Sequence, residues 1–96
     1  MGYTRGVNFE WDPEKAAYNL ETHGVSFAEA TTVFGDPLSM LFDDPDHSLD
    51  ESRALIIGRS YLDRLLIVSF TERDDFIRVI SARELTPNEP RDYENG

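Results

Sequence analysis

Cysteine is absent, and with it go disulfide frameworks, thiol catalysis and zinc–thiolate sites. No apolar run approaches the roughly 20 residues that a membrane span needs, and no signal-peptide hydrophobic region is found. Gly6 stands where a myristoylation signal would carry Ser or Thr. The expected compartment is therefore the cytoplasm, without membrane contact. The GxGxxG, P-loop and HExxH motifs are missing, as is the GxSxG nucleophile elbow, so no cofactor and no metal is expected. Positive charge is scarce too. Nine Lys and Arg face nineteen Asp and Glu, a net charge of −10, which opposes loose attachment to nucleic acid.

What the chain does have is enough apolar material for a core: 40% of its 96 residues are hydrophobic, including six Phe and four Tyr. This fits one domain over 1–96, with residues 1–6 frayed. A chain of this size buries only about 60–65% of its unfolded surface, so its stability should be modest. The charge is unevenly spread. Residues 1–52 hold two basic and eleven acidic side chains, whereas residues 53–83 hold six basic ones, all Arg, against four acids. Residues 84–96 return to net −3. Arginine suits bidentate phosphate contacts. Scattered surface arginines on an acidic protein are the plainer reading of the composition.

Val7–Trp11 alternates as a short strand. Asp12-Pro13 then caps and opens a helix to about His23, stopped by Gly24. Ser26-Phe27-Ala28-Glu29 reads as a capping box for a second helix, Phe27 to Phe34, closed by Gly35. From there the pattern is of strands: Ser39–Phe42, Arg53–Ser60, Leu65–Thr71 and Phe76–Arg83. Asp43–Glu51 reads as an acidic loop. Thr86-Pro87-Asn88-Glu89 predicts a short terminal helix, weakened by Pro90. This order predicts an α+β fold: an antiparallel four- to five-stranded sheet with two N-terminal helices and a short C-terminal helix.

Lys15, Asn19 and His23 recur every four residues and form one ridge of the first helix. The ridge could offer a cation, an amide and an imidazole to a cleft. A solvated face, with His23 favourably placed at the helix C-terminus, is the plainer alternative. In the strands, a period of two puts Arg53, Leu55, Ile57 and Arg59 on one face. The same period sets Arg78 with Ile80 and Ala82, opposite Val79, Ser81 and Arg83. Such arginines either pack their stems at sheet margins or converge on a phosphate, and the spacing leaves both open. Asp43–Glu51 fails the calcium-loop pattern, with Leu49 in place of Gly and Leu55 in place of the bidentate Glu. Both faces of Leu65–Phe70 are largely apolar while the helices are short, so one face or a sheet edge should meet a partner or a second copy.

Phe9-Glu10-Trp11-Asp12-Pro13-Glu14-Lys15, Asn19, His23-Gly24-Val25-Ser26-Phe27, Ala30 and Val33-Phe34 resemble the opening of the BrnT toxin family. Asp36-Pro37, Asp43-Asp44, Arg53, Ile57-Gly58-Arg59-Ser60, Thr71-Glu72-Arg73, Ile77 to Arg83 and Glu89 with Tyr93 continue the resemblance in order. It implies a RelE-like fold and an endoribonuclease toxin of a type II toxin–antitoxin system that inhibits translation by cleaving RNA. It also implies a BrnA-like ribbon-helix-helix antitoxin, operator DNA met only through that antitoxin, and a homodimer or 2:2 complex. The chemistry implied is metal-independent: the 2′-hydroxyl attacks the adjacent phosphorus, which needs a base, an acid and cations. The residues carried over for this are Lys15, His23, Arg53, Arg73, Arg78, Arg83 and Tyr93. Thr22, where the family often has a basic residue, and the acidic Asn88–Asp92 stretch depart from the pattern. They favour an alternative: a catalytically weak member acting as an antitoxin-binding co-repressor. An unrelated acidic domain holding a cation in the Asp43–Glu51 loop is a third reading.

Overall fold

The computed structural model describes residues 8–43 and 53–85. The expected frayed start, most of the acidic loop, the terminal helix and Tyr93 lie outside these residues. Five strands form one sheet: β1 (Asn8–Glu10), β2 (Met40–Asp43), β3 (Arg53–Arg59), β4 (Leu65–Arg73) and β5 (Phe76–Glu84), in the order β1-β5-β4-β3-β2. Between β1 and β2 the chain forms α1 (Pro13–His23), α2 (Phe27–Thr32) and a 3₁₀ turn (Val33–Gly35). No helix among the described residues is long and apolar enough to cross a membrane.

Local chemistry sets the helix ends. The Asp12 carboxylate accepts from the Glu14 amide at 2.9 Å, Pro13 takes the first helical position, and Gly24 ends α1 in the left-handed region at φ 71°. Ser26 Oγ accepts from the Glu29 amide at 3.0 Å. Only this half of the expected capping box forms, because the Glu29 carboxylate turns inward to another partner. Asp63 and Asp74, both at positive φ, close the β3–β4 and β4–β5 hairpins.

Strands β2 to β5 make the expected antiparallel meander, but β1 lies parallel to β5, with Glu10 opposite Arg78, so the sheet is mixed. Hairpin links oblige their strands to be antiparallel. The link from β1 is two helices long and delivers the chain to the opposite edge of the sheet, so nothing imposes that direction on β1.

A second correction concerns β5. Ser69 faces Ser81 while Phe70 faces Val79, so Ile80 is an extra residue in the ladder, a β-bulge. The bulge shifts the alternation by one. Arg78, Ser81 and Arg83 therefore share a face, and Val79 and Ala82 share the other, in place of the strict period of two.

That other face carries the core. Ile56, Leu66, Val68, Phe70, Val79 and Ala82 pack against Val25, Phe27, Ala30 and Val33 of the helical layer. Phe34 joins Phe9 and Phe70 edge to face at 5.2 and 5.0 Å between ring centres. Gly58 admits the 3₁₀ turn against β3: a Cβ there would lie 2.9 Å from Asp36 Oδ2 and 3.1 Å from Val33 Cγ1. The same Asp36 oxygen accepts from the Arg59 amide at 2.8 Å.

Candidate functional site

The opposite face of the sheet has no helix on it among the described residues, and the register places the strand arginines there. Arg53 of β3 pairs with Thr71 of β4, which pairs with Arg78 of β5, which pairs with Glu10 of β1. These four form one row straight across the sheet. With neighbouring strands about 4.8 Å apart, Arg53 and Arg78 flank Thr71 at roughly 10 Å between backbones. The next row holds Arg73, Phe76 and Asn8. Arg73 thus sits diagonally beside both members of the pair. Arg83 shares the face but aligns with Ile67, four residues along β4 from Thr71, or roughly 13 Å away.

Arg78 is half-exposed, and its guanidinium donates to Glu10 Oε2 at 3.2 Å. Arg83 donates to the Glu84 carbonyl at 3.2 Å. Between the two arginine zones lies a belt of Leu55, Ile57 and Ile67, all half-buried. A cavity of about 520 Å³ beside Arg53 is rimmed by Phe42, Asp43 and Glu72. Arg53 itself lines this cavity, whose two carboxylates disfavour an anion there.

Two other arginines of the basic segment are committed elsewhere. Arg59 pairs with Asp63, 3.9 Å away. Arg64 is bound to the buried Glu29 carboxylate through Nε at 2.9 Å and Nη2 at 2.5 Å, and it also donates to the Gly24 carbonyl. Ser60 Oγ donates to the same carboxylate at 2.6 Å. The hydrogen bonds from Arg64 hold Glu29 below the ordinary carboxylate value, against the opposing effect of burial. This cluster ties the helical layer to the β3–β4 turn and has no access to the open face.

The α1 ridge is divided. Asn19 is buried, and its amide nitrogen donates to the Val25 and Ala82 carbonyls at 2.9 and 2.8 Å. Its oxygen accepts from the Ala82 amide at 3.1 Å. Both main-chain groups of one β5 residue are thus met by one side chain, as a neighbouring strand would meet them. Helix α1 therefore lies along the β5 edge where β1 ends. His23 sits at the end of α1 that meets Arg64, whose other neighbour is Glu84, far from Arg78 along β5. Lys15 lies one turn back from Asn19, toward Arg78. On the helix it is rotated about 40° from Asn19, away from Ala16, which packs on the core, and so toward the open face. The structure therefore gathers Arg53, Arg73 and Arg78, with Lys15 at the border and Arg83 further along. It does not bring His23 to them. Glu10 and Thr71 joined no site pattern in the sequence. Both fall within the family resemblance, but what sets them apart is a place opposite an arginine, which requires the strand register.

A family model described as the ribonuclease toxin BrnT of type II toxin–antitoxin systems matches residues 11–89. No curated protein matches the sequence. Among solved structures, the chain is similar to the Brucella abortus ribonuclease toxin BrnT, determined at 1.1 Å, with a TM-score of 0.65 and 23% identity. The alignment covers 83% of this chain and 97% of that one.

Proposed function

Because the chain belongs to the BrnT family of ribonuclease toxins of type II toxin–antitoxin systems, we propose that it is an endoribonuclease which arrests translation by cutting RNA on the open face of its sheet. The observation that carries this reading is the row Arg53–Thr71–Arg78 with Arg73 beside it. Two guanidinium groups about 10 Å apart at the backbone can close on one phosphate from both sides. A 2′-hydroxyl attacking that phosphorus produces a pentacoordinate centre with extra negative charge on its equatorial oxygens. Cations fixed in place stabilise that charge more than they stabilise the starting diester, which lowers the barrier. The Thr71 hydroxyl between them can donate one more hydrogen bond. The reaction so drawn needs no metal ion. Arg83 and Lys15 hold the RNA strand on either side of the cut.

A BrnA-like ribbon-helix-helix antitoxin would neutralise the chain by covering this face, and operator DNA would be reached only through it, in a 2:2 complex. The belt of Leu55, Ile57 and Ile67 gives such a partner apolar surface next to the arginines.

In the test, purified chain is incubated with RNA with and without EDTA. Arg78→Ala should slow cleavage about 100- to 1,000-fold, equivalent to about 2.7–4 kcal/mol, and relieve growth arrest while antitoxin binding persists. Activity that survives both Arg78→Ala and Arg83→Ala, or that vanishes with EDTA, puts the site elsewhere. A second reading, an antitoxin-binding co-repressor with little activity, is favoured by one observation: Arg78 is already engaged by a carboxylate. Absence of growth arrest on induction without antitoxin would select it.

A further inference from the structure

Cleavage by a neighbouring 2′-hydroxyl requires a group that takes its proton, and His23, at the far end of α1, does not supply one at the arginine row. Among the described residues, the strand register leaves one candidate. Among the described strand residues of the open face, Glu10 is the only carboxylate; Asp43, Glu72 and Glu84 alternate to the helical side. Glu10 ends the row that begins at Arg53, its side chain is about one-third exposed (35%), and one oxygen is held by Arg78 at 3.2 Å. That contact uses Oε2 and leaves Oε1 without a partner among the described residues. The carboxylate is thus oriented by the same cation that would bind the phosphate, which places a base one residue from the phosphorus.

Resting on the ribonuclease reading above, we propose that Glu10 is the general base of RNA cleavage. Its carboxylate takes the proton of the 2′-hydroxyl as the oxygen bonds to phosphorus. The bond from phosphorus to the 5′-oxygen breaks, that oxygen takes a proton from water, and the hydroxide left behind takes back the proton held by Glu10. The products are a 2′,3′-cyclic phosphate and a free 5′-hydroxyl. No electrons are transferred and no further reactant is needed. Arg78 then has two duties, holding the phosphate and keeping the base beside it, and Glu10 shields Arg78 from collapsing onto other acids of a strongly anionic chain.

Glu10→Gln is the decisive variant because its amide oxygen can still accept from Arg78 while its basicity is gone. Turnover of a short RNA should fall about 100- to 10,000-fold, the range of a lost general base. Affinity for the same sequence made of deoxynucleotides, which cannot be cut this way, should stay the same or tighten, since one negative charge has left the site. Glu10→Asp should keep part of the turnover. Equal turnover in wild type and Glu10→Gln overturns the proposal. A proportional loss of turnover and of deoxynucleotide binding also overturns it, because that is what a merely structural residue would produce. Wild-type chain that cuts no RNA overturns the ribonuclease reading itself, and the role of Glu10 with it. Matching thermal unfolding of the variants shows that each result concerns the site and not the fold.

Discussion

Burying a carboxylate costs several kcal/mol unless its charge is met at once, and Glu29 is met by Arg64 on both oxygens and by Ser60 on one. The consequence appears in acid. Because the pKa of Glu29 is lowered in the folded chain, its contribution is complete above the ordinary carboxylate value, and it is lost as pH falls through the folded one. Urea midpoints of the wild type should therefore drop steeply on acidification below about pH 4.5. The paired change Glu29→Gln with Arg64→Met should flatten that limb. Arg64→Ala alone should be the worst of the three at neutral pH, by about 3 kcal/mol, since it strands a charged group in the interior. A midpoint indifferent to both changes would mean that the pair contributes nothing.

Helix α1 is held to the sheet less by its apolar stripe than by one amide. Asn19→Ala would orphan the Ala82 amide and carbonyl and the Val25 carbonyl together, an expected loss of about 2–4 kcal/mol in urea unfolding. Asn19→Asp should be no better, because a carboxylate can accept from the Ala82 amide but must then face two carbonyl oxygens. At β3, Gly58→Ala should cost about 1–3 kcal/mol, since the 3₁₀ turn has no room to retreat. These elements were legible to very different degrees. Asp12-Pro13, Gly24 and Ser26 announce both helices, because capping is a local transaction between residues a few positions apart. The strand spans were equally readable from alternation and turns. Three features were not. The Ile80 bulge is invisible to a period-two reading, so Arg78 and Arg83 seemed to face opposite ways. The parallel β1 depends on a neighbour 68 positions away, and Glu29 signalled a cap when its partner was Arg64. Asn19, which reads as part of a polar ridge, is a clasp because of where β1 stops. In each case the deciding contact is distant in sequence, which is also why the arginines were recognisable as a set while the carboxylate beside them was not.

At the scale of the whole molecule, RNA would meet a body of net charge −10 in which Arg53, Arg73, Arg78 and Arg83 share one sheet face. Long-range repulsion and short-range attraction then oppose each other, and salt screens the former first. Association with a short RNA should therefore quicken, or at least not slow, between about 20 and 150 mM salt. Basic RNA-binding proteins show the opposite trend, because they lose affinity through counterion release. A steep fall in the association rate over that range would count against the open face as the landing site. The row itself draws on residues 10, 53, 71 and 78, so its neighbours Glu10 and Arg78 come from near opposite ends of the described chain. At about 5–20 residues per second, roughly 3–14 s separate the synthesis of Glu10 from that of Arg78. If the proposed roles hold, the growing chain has throughout that interval a base with no phosphate clamp, then half a clamp with no partner for the base. On the proposed reading, the ribosome that makes this protein would meet no assembled site until the last strand of the sheet has left it.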